Sequence, residues 1–309
     1  MTDKRFPRCV LATTVIPWGD DYRLDETLYR HHIQRLLQAG FTHLYVFGTA
    51  GEGYAVDDDQ FERVARVFVE EMRAGNAEPM LGVINLSQQT IVRRIAWARD
   101  TLGVHQFQVS LPSWGALEGH EVRTFFDAVL ERFADCRFLH YNLLRTKRLV
   151  TADEYALIAR DHPNLVATKN STDSMQRVRD LLEGAPMLQH FLNERGFVYG
   201  SLIGECGFLA SIATTNFEQA QAYFRAGCTR DFETLLHMEA EVHAISREFT
   251  RTVGPAHIDG AFDKVLWRLH DPRFPLRLLP PYEGASDASA ADFLEFLRKA
   301  YPQWAPETA

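Results

Sequence analysis

Lys169 closes the apolar run "NLVATK" (164–169), in a chain with only five lysines among its 33 basic residues. An ammonium group at the end of a strand that buries itself is disfavoured, because desolvation favours the neutral amine and lowers its pKa. A neutral amine near physiological pH attacks carbonyl carbon and forms an imine. The ordinary alternative is a rim lysine that keeps its charge in water. Strand alternation puts Leu165, Ala167 and Lys169 on one face, with Val166 and Thr168 on the other. The preceding strand, "RFLHYN" (137–142), brings Tyr141 to its end, with Leu139 on the same face and His140 directed toward the helices. A phenol there could carry protons to and from an imine, although a buried tyrosine also serves as a hydrogen-bonded core residue. The stretch "GTAGEG" (48–53) has three glycines in six residues. Such a loop turns tightly and exposes N–H groups, a nest suited to a carboxylate. Gly48, Ala50 and Gly51 would build that nest, and the Thr49 hydroxyl could relay protons to Tyr141. The loop is neither a Walker A nor a dinucleotide fingerprint, and a glycine-rich loop without catalysis is its plain alternative.

These residues need a scaffold that gathers strand ends. Short β-type runs at 9–16, 43–48, 79–85, 105–112, 137–142, 165–169, 187–193 and 207–213 alternate with helical patterns. The helix expected over 57–74 has its own start signal: Asp57 as cap, Gln60 three residues on, and Val56 with Phe61 as a hydrophobic staple. Strand–helix alternation means βαβ units and a parallel sheet. Eight units fit a closed (β/α)8 TIM barrel, an α/β fold whose C-terminal strand ends face the site; a doubly wound open sheet is the other solution. After residue 216 the patterns are helical, apart from a proline-rich connection at 272–284 and a linker read at 283–292. The expected organisation is a catalytic barrel over 1–216 and a C-terminal helical domain over 217–309.

Composition narrows the partners. The 309 residues carry a formal net charge of −8 and no long basic run, which argues against nucleic acid or an anionic membrane. No stretch has the form of a signal peptide or a membrane span, so a cytoplasmic location is expected. The four cysteines are scattered and read as free thiols. No Asp/Glu/His set has ligand spacing, so no metal is expected.

Taken together, "GTAGEG", "HYN" with Tyr141, "LVATKNST" with Lys169 and "DKVLWRLHDPRFPLRLLPP" resemble the dihydrodipicolinate synthase / N-acetylneuraminate lyase family of class I aldolases. The resemblance covers nearly the whole chain. It implies the barrel with a C-terminal helical domain, a homotetramer or dimer, and an imine between lysine and pyruvate or another 2-oxo acid, with no cofactor beyond that covalent imine. Carried over, Lys169 is the imine lysine, Tyr141 the proton-transfer tyrosine and Thr49 the relay hydroxyl, while the N–H groups of Thr49 and Ala50 hold the pyruvate carboxylate. Gly48, Gly51, Trp114, Asn142, Arg145 and Leu209 complete the expected substrate contacts.

The chain departs from the family's synthases at several positions. Ala50 stands where a second hydroxyl is usual, "YNLLRTKR" lacks the common proline, and Arg145 falls one place early. Trp114 occupies the position of a tyrosine lent by a neighbouring subunit, and an indole N–H cannot relay protons. The expected activity is a retro-aldolase or dehydratase acting on a sugar-acid or aromatic 2-oxo acid, with Trp114, Leu143 and Leu144 making an apolar mouth. Interface packing is the plainer role for those three. 4-Hydroxy-tetrahydrodipicolinate synthase is the second enzymatic reading, and a catalytically silent 2-oxo acid sensor the reading of another class.

Overall fold

The computed structural model describes residues 5–255 and 257–306. Eight parallel strands close into a barrel in sequence order: β1 (Val10–Thr13), β2 (His43–Val46), β3 (Met80–Gly82), β4 (Gln106–Val109), β5 (Arg137–Asn142), β6 (Leu165–Asn170), β7 (Gln189–Leu192) and β8 (Gly207–Leu209). The open doubly wound sheet is thereby excluded. Helices α1 (Glu26–Gln38), α2 (Asp58–Ala74), α3 (Gln88–Leu102), α4 (Gly119–Phe126), α5 (Ala152–Asp161), α6 (Met175–Gly184) and α7 (Glu194–Ile203) follow β1 to β7 in turn. α4 continues into one π-helical turn over Asp127–Glu131. The run expected as strand over 207–213 stops at Leu209, and a 3-10 turn (Ile212–Thr215) leads to α8 (Phe217–Thr229). Tyr223 of α8 packs on Phe197 and Phe208, so this helix, which begins at the expected division of the chain, covers β8. α9 (Phe232–Val253), α10 (Asp259–His270) and α11 (Asp287–Ala300) complete the helical region. The linker expected over 283–292 is shorter, because Ser286 caps α11 through the Ser289 N–H.

Local signals set the helix starts. Asp57 accepts from Gln60 N at 2.7 Å and the Gln60 side chain accepts from Asp57 N at 3.2 Å, closing the expected capping box. Thr151 and Glu154 close another ahead of α5. Apolar residues sort into two cores. The larger fills the space between strands and helices; the smaller, with Phe6, Leu11, Tyr45, Met80, Leu139, Val166, Ala167, Phe191 and Leu209, fills the barrel interior.

One buried ion pair ties the helical region to the β2 loop. Lys264 Nζ of α10 lies 2.6 Å from Glu52 Oε1, both side chains without exposure to water. Glu52 also accepts from Trp18 Nε1 at 2.9 Å and from Leu279 N at 2.8 Å. These donors hold Glu52 at a left-handed φ of 52°, a conformation that usually needs glycine or local support. Lys264→Met should leave the carboxylate buried without its cation and lower unfolding free energy by ~3–5 kcal/mol. Urea unfolding should show a lower midpoint, and adding Glu52→Gln to the same variant should recover part of the loss.

Candidate active site

Lys169 reaches the barrel interior because β6 carries one extra residue. Phe138 pairs with Leu165, but Leu139 pairs with Ala167, leaving Val166 unopposed in a β-bulge. Leu165 therefore faces the helices and belongs to the outer core, whereas Val166 and Ala167 both join the interior cluster. This corrects the strict alternation expected for the strand: Leu165 does not share the face of Ala167 and Lys169. From Ala167 onward the alternation resumes, and Thr168 points out to His190 Nδ1 at 2.7 Å.

Lys169 is 4% exposed. Its Nζ donates to the Tyr45 hydroxyl at 2.6 Å and lies 3.8 Å from the centre of the Tyr141 ring. Burial pulls the amine down to about 8, while the carboxylates of Asp259 and Asp263 act to raise it. The Tyr141 hydroxyl is 3.3 Å from Thr49 Oγ1, the pairing expected from the sequence. Desolvation, reinforced by Asp259, pushes the Tyr141 phenol up to about 12, so it holds its proton at neutral pH. His140, on the other face of β5, bonds Tyr155 of α5 at 2.6 Å.

These groups open into a cavity of about 550 Å³. Thr49 and Ala50 line it, and neither of their backbone N–H groups donates to an acceptor among the described residues, whereas those of Glu52 and Gly53 bond Thr49 O and Gly48 O. Two free amides beside a basic amine suit a carboxylate. Gly48 and Gly51 are not on the cavity wall, contrary to expectation. A Cβ at Gly48 would fall 2.6 Å from the Tyr45 ring, so this glycine lets Tyr45 lie across the loop toward Lys169. A Cβ at Gly51 would meet Phe47 N at 2.8 Å.

Leu209, Leu143, Leu144 and Arg145 line the cavity, but Trp114 and Asn142 do not. Trp114 is 83% exposed, on the loop between β4 and α4. Asn142 is buried and points away from the barrel axis. It donates to Val150 O and Asn170 Oδ1 and accepts from Val150 N, bracing the segment that follows β5. Arg145 pairs with Asp259 Oδ1 at 2.9 Å across the mouth.

The expected apolar mouth is only half right. Phe249, Phe262 and Ile212 join Leu143 and Leu144, but Asp259, Asp263, Glu194 and hydroxyls from Ser211, Ser246 and Thr250 share the wall. Glu194 accepts from the Ser211 and Ala213 amides at 2.8 and 3.2 Å, fixing the turn after β8. The sequence reading missed Tyr45, which strand alternation in "HLYV" could have singled out as the inward polar residue nearer the C-terminal end of β2. It also missed Asp259 and Asp263; they share one helix face at i and i+4, but nothing in the sequence says which way that face turns. Two further sets, His105/Asp135/Cys136 and Asp127/Glu131/His162, bring ligand-type atoms together, and neither lines this cavity.

A model of the dihydrodipicolinate synthetase family matches residues 7–280. The 4-hydroxy-tetrahydrodipicolinate synthase of Exiguobacterium sibiricum is 23% identical over 291 residues, covering 93% of this chain and 95% of that protein. Among solved structures, a prophage protein of the dihydrodipicolinic acid synthase family from E. coli K12, in complex with pyruvate, superimposes with a TM-score of 0.83 at 16% identity, covering 95% of this chain and 98% of that one. A 2-keto-3-deoxygluconate aldolase variant from Sulfolobus solfataricus does so at 0.80 and 14%, covering 95% and 97%. At these identities the structural likeness carries the fold.

The amine's setting has a measurable signature. Acetylation of Lys169 by acetic anhydride, mapped by peptide mass, should rise with pH through about 8 and then level off, because the neutral amine is the reacting form. A solvent-exposed lysine should keep rising toward about 10.4. Asp259→Asn removes a charge that favours the ammonium form, so the Lys169 midpoint should move down; a midpoint that moves up would contradict the electrostatics.

Proposed function

The chain belongs to the dihydrodipicolinate synthetase family, and from that membership and the cavity geometry we propose a class I lyase that joins Lys169 to a 2-oxo acid as an imine. The observation that carries the reading is the buried Lys169 amine, lowered to about 8 and set beside the Thr49–Tyr141 hydroxyl pair. The neutral amine attacks the C2 carbonyl. Tyr141 supplies the proton with which the carbonyl oxygen leaves as water, and Thr49 passes protons between Tyr141 and the cavity. The Thr49 and Ala50 N–H groups receive the substrate carboxylate and aim C2 at Nζ. Tyr45, accepting from Nζ, keeps the amine on the barrel axis. The iminium draws electrons from C3, so the C3–C4 bond breaks to an enamine and an aldehyde, or forms in reverse. The imine is itself the electron sink, and the mechanism calls on no cofactor.

The favoured direction is retro-aldol cleavage of a hydroxylated 2-oxo acid, supported by the hydroxyl-rich wall. The synthase reaction, condensing pyruvate with aspartate semialdehyde, is the second reading, supported by the names of relatives such as that of E. sibiricum. Against it stand Asp259, Asp263 and Glu194 on the distal wall, and an Arg145 already paired to Asp259, where a second carboxylate would have to bind.

Incubation with pyruvate and borohydride should leave a reduced pyruvate adduct on Lys169 by intact mass and peptide mapping, and none on Lys169→Arg. An unmodified wild-type protein would sink the imine and favour a non-catalytic binder. Tyr141→Phe should lower turnover by about 100-fold or more, the range for losing a positioned proton donor. Pyruvate release from a panel of hydroxylated 2-oxo acids names the substrate, whereas sustained condensation with aspartate semialdehyde would make the second reading the right one.

A further inference from the structure

We propose that Asp263 is a second catalytic acid–base of this cavity, serving the C4 oxygen of the substrate while Tyr141 serves the imine; the inference rests on the imine reading above. The cavity holds three carboxylates beyond the amine, and two of them are already engaged. Asp259 is held by Arg145, and Glu194 accepts two backbone amides. Asp263 lines the cavity with Lys169 and has no side-chain partner among the described residues. It is placed by its chain neighbour: Lys264, the next residue, is locked to Glu52 of the glycine loop, so α10 cannot turn its acidic face away from the amine without breaking a buried ion pair. The start of α10 also lies close against that loop, since a Cβ at Gly260 would stand 3.2 Å from Glu52 Cγ and 3.3 Å from Ala50 O.

The chemistry needs such a group. In cleavage, the C4 O–H bond breaks and its proton passes to the Asp263 carboxylate. The O–H electron pair becomes the C=O bond of the departing aldehyde, and the C3–C4 pair moves into the iminium to give the enamine. Tyr141, reprotonated from the cavity through Thr49 after water loss, then protonates C3; hydrolysis frees pyruvate and Lys169 and returns the Tyr141 proton, and Asp263 returns its proton to solvent. Tyr141 is poorly matched to the first of these transfers, because a phenol near 12 is almost wholly protonated at neutral pH and is no base there. Burial and the Asp259 charge raise Asp263 to about 7, where a carboxylate both accepts and returns a proton readily. The charged and titratable groups facing it are Lys169 from β6, Tyr45 from β2, Tyr141 and Arg145 from β5 and the turn after it, Glu194 from α7 and Asp259 from α10 itself.

The test uses Asp263→Asn, with Asp263→Ser as a second variant unable to take a proton, on the full chain. Borohydride trapping of pyruvate on Lys169 should proceed in both variants at least as fast as in wild type. Exchange of the pyruvate methyl hydrogens into deuterated water, which reports enamine formation and C3 protonation, should also continue. Cleavage of 2-oxo-3-deoxy-4-hydroxy acids should fall by about 100-fold or more in kcat, the usual cost of losing a general base. The limb of kcat that rises with pH through about 7 in wild type should vanish. Because kcat reports the bound complex, in which Lys169 is already an imine, its own titration does not contribute. Cleavage within about threefold of wild type and an unchanged pH profile would overturn the role, which should otherwise be worth at least two decades. Loss of deuterium exchange together with cleavage would move Asp263 to C3 and overturn the assignment to the C4 oxygen. A wild type that traps pyruvate but cleaves no 4-hydroxy acid would also overturn it, while a wild type that traps no pyruvate defeats the imine reading instead.

Discussion

Lys264 and Glu52 meet in a region closed to water, where each charge would be strongly unfavourable alone. The pair is useful for what it joins. Glu52 belongs to the loop that carries Thr49 and Ala50, and Lys264 to the helix that carries Asp259 and Asp263. A hydrophobic contact between loop and helix would tolerate sliding. A buried ion pair with two further N–H donors on the same carboxylate has one geometry. The proximal wall of the cavity, which meets a carboxylate, is thus indexed to the distal wall, which meets the rest of the ligand.

Desolvation sorts the cavity's titratable groups. It moves Lys169 down to about 8, Tyr141 up to about 12 and Asp263 up to about 7. One cause acts on three chemical types, and the sign in each case is the one that removes charge. At neutral pH the site therefore offers a partly neutral amine, a protonated phenol and a carboxyl group near its midpoint. The acids of α10 restrain the amine from falling further, which keeps its nucleophilicity close to the working range.

The barrel was legible in the sequence because β-type runs and helical patterns alternate eight times, and because signals such as Asp57/Gln60 are local. The amine, the phenol and the hydroxyl were legible because each sits at a strand end or in a glycine-rich turn, where residue type and place together imply chemistry. Asn142 misled for a physical reason. Asn142 obeys the alternation of β5 and so faces outward, one residue past Tyr141. Trp114, read at a place lent to a neighbouring subunit, is exposed on its own chain. Asp259 and Asp263 were invisible because α10 reaches the cavity from about 90 residues after β6, and no periodicity records which barrel mouth a late helix will cover.

The bulge at Val166 bears on how such a site could be lost or gained. A strand reads its two faces by parity, and the extra residue shifts parity once, just below the amine. An in-frame insertion of one apolar codon between Ala167 and Thr168 would keep every functional side chain in the gene and leave the strand apolar. It would also swing the lysine out among the helices and carry Thr168 into the lumen. Drift in this lineage can therefore extinguish the chemistry through an indel rather than a substitution, and a comparison that scores only residue identity would not notice.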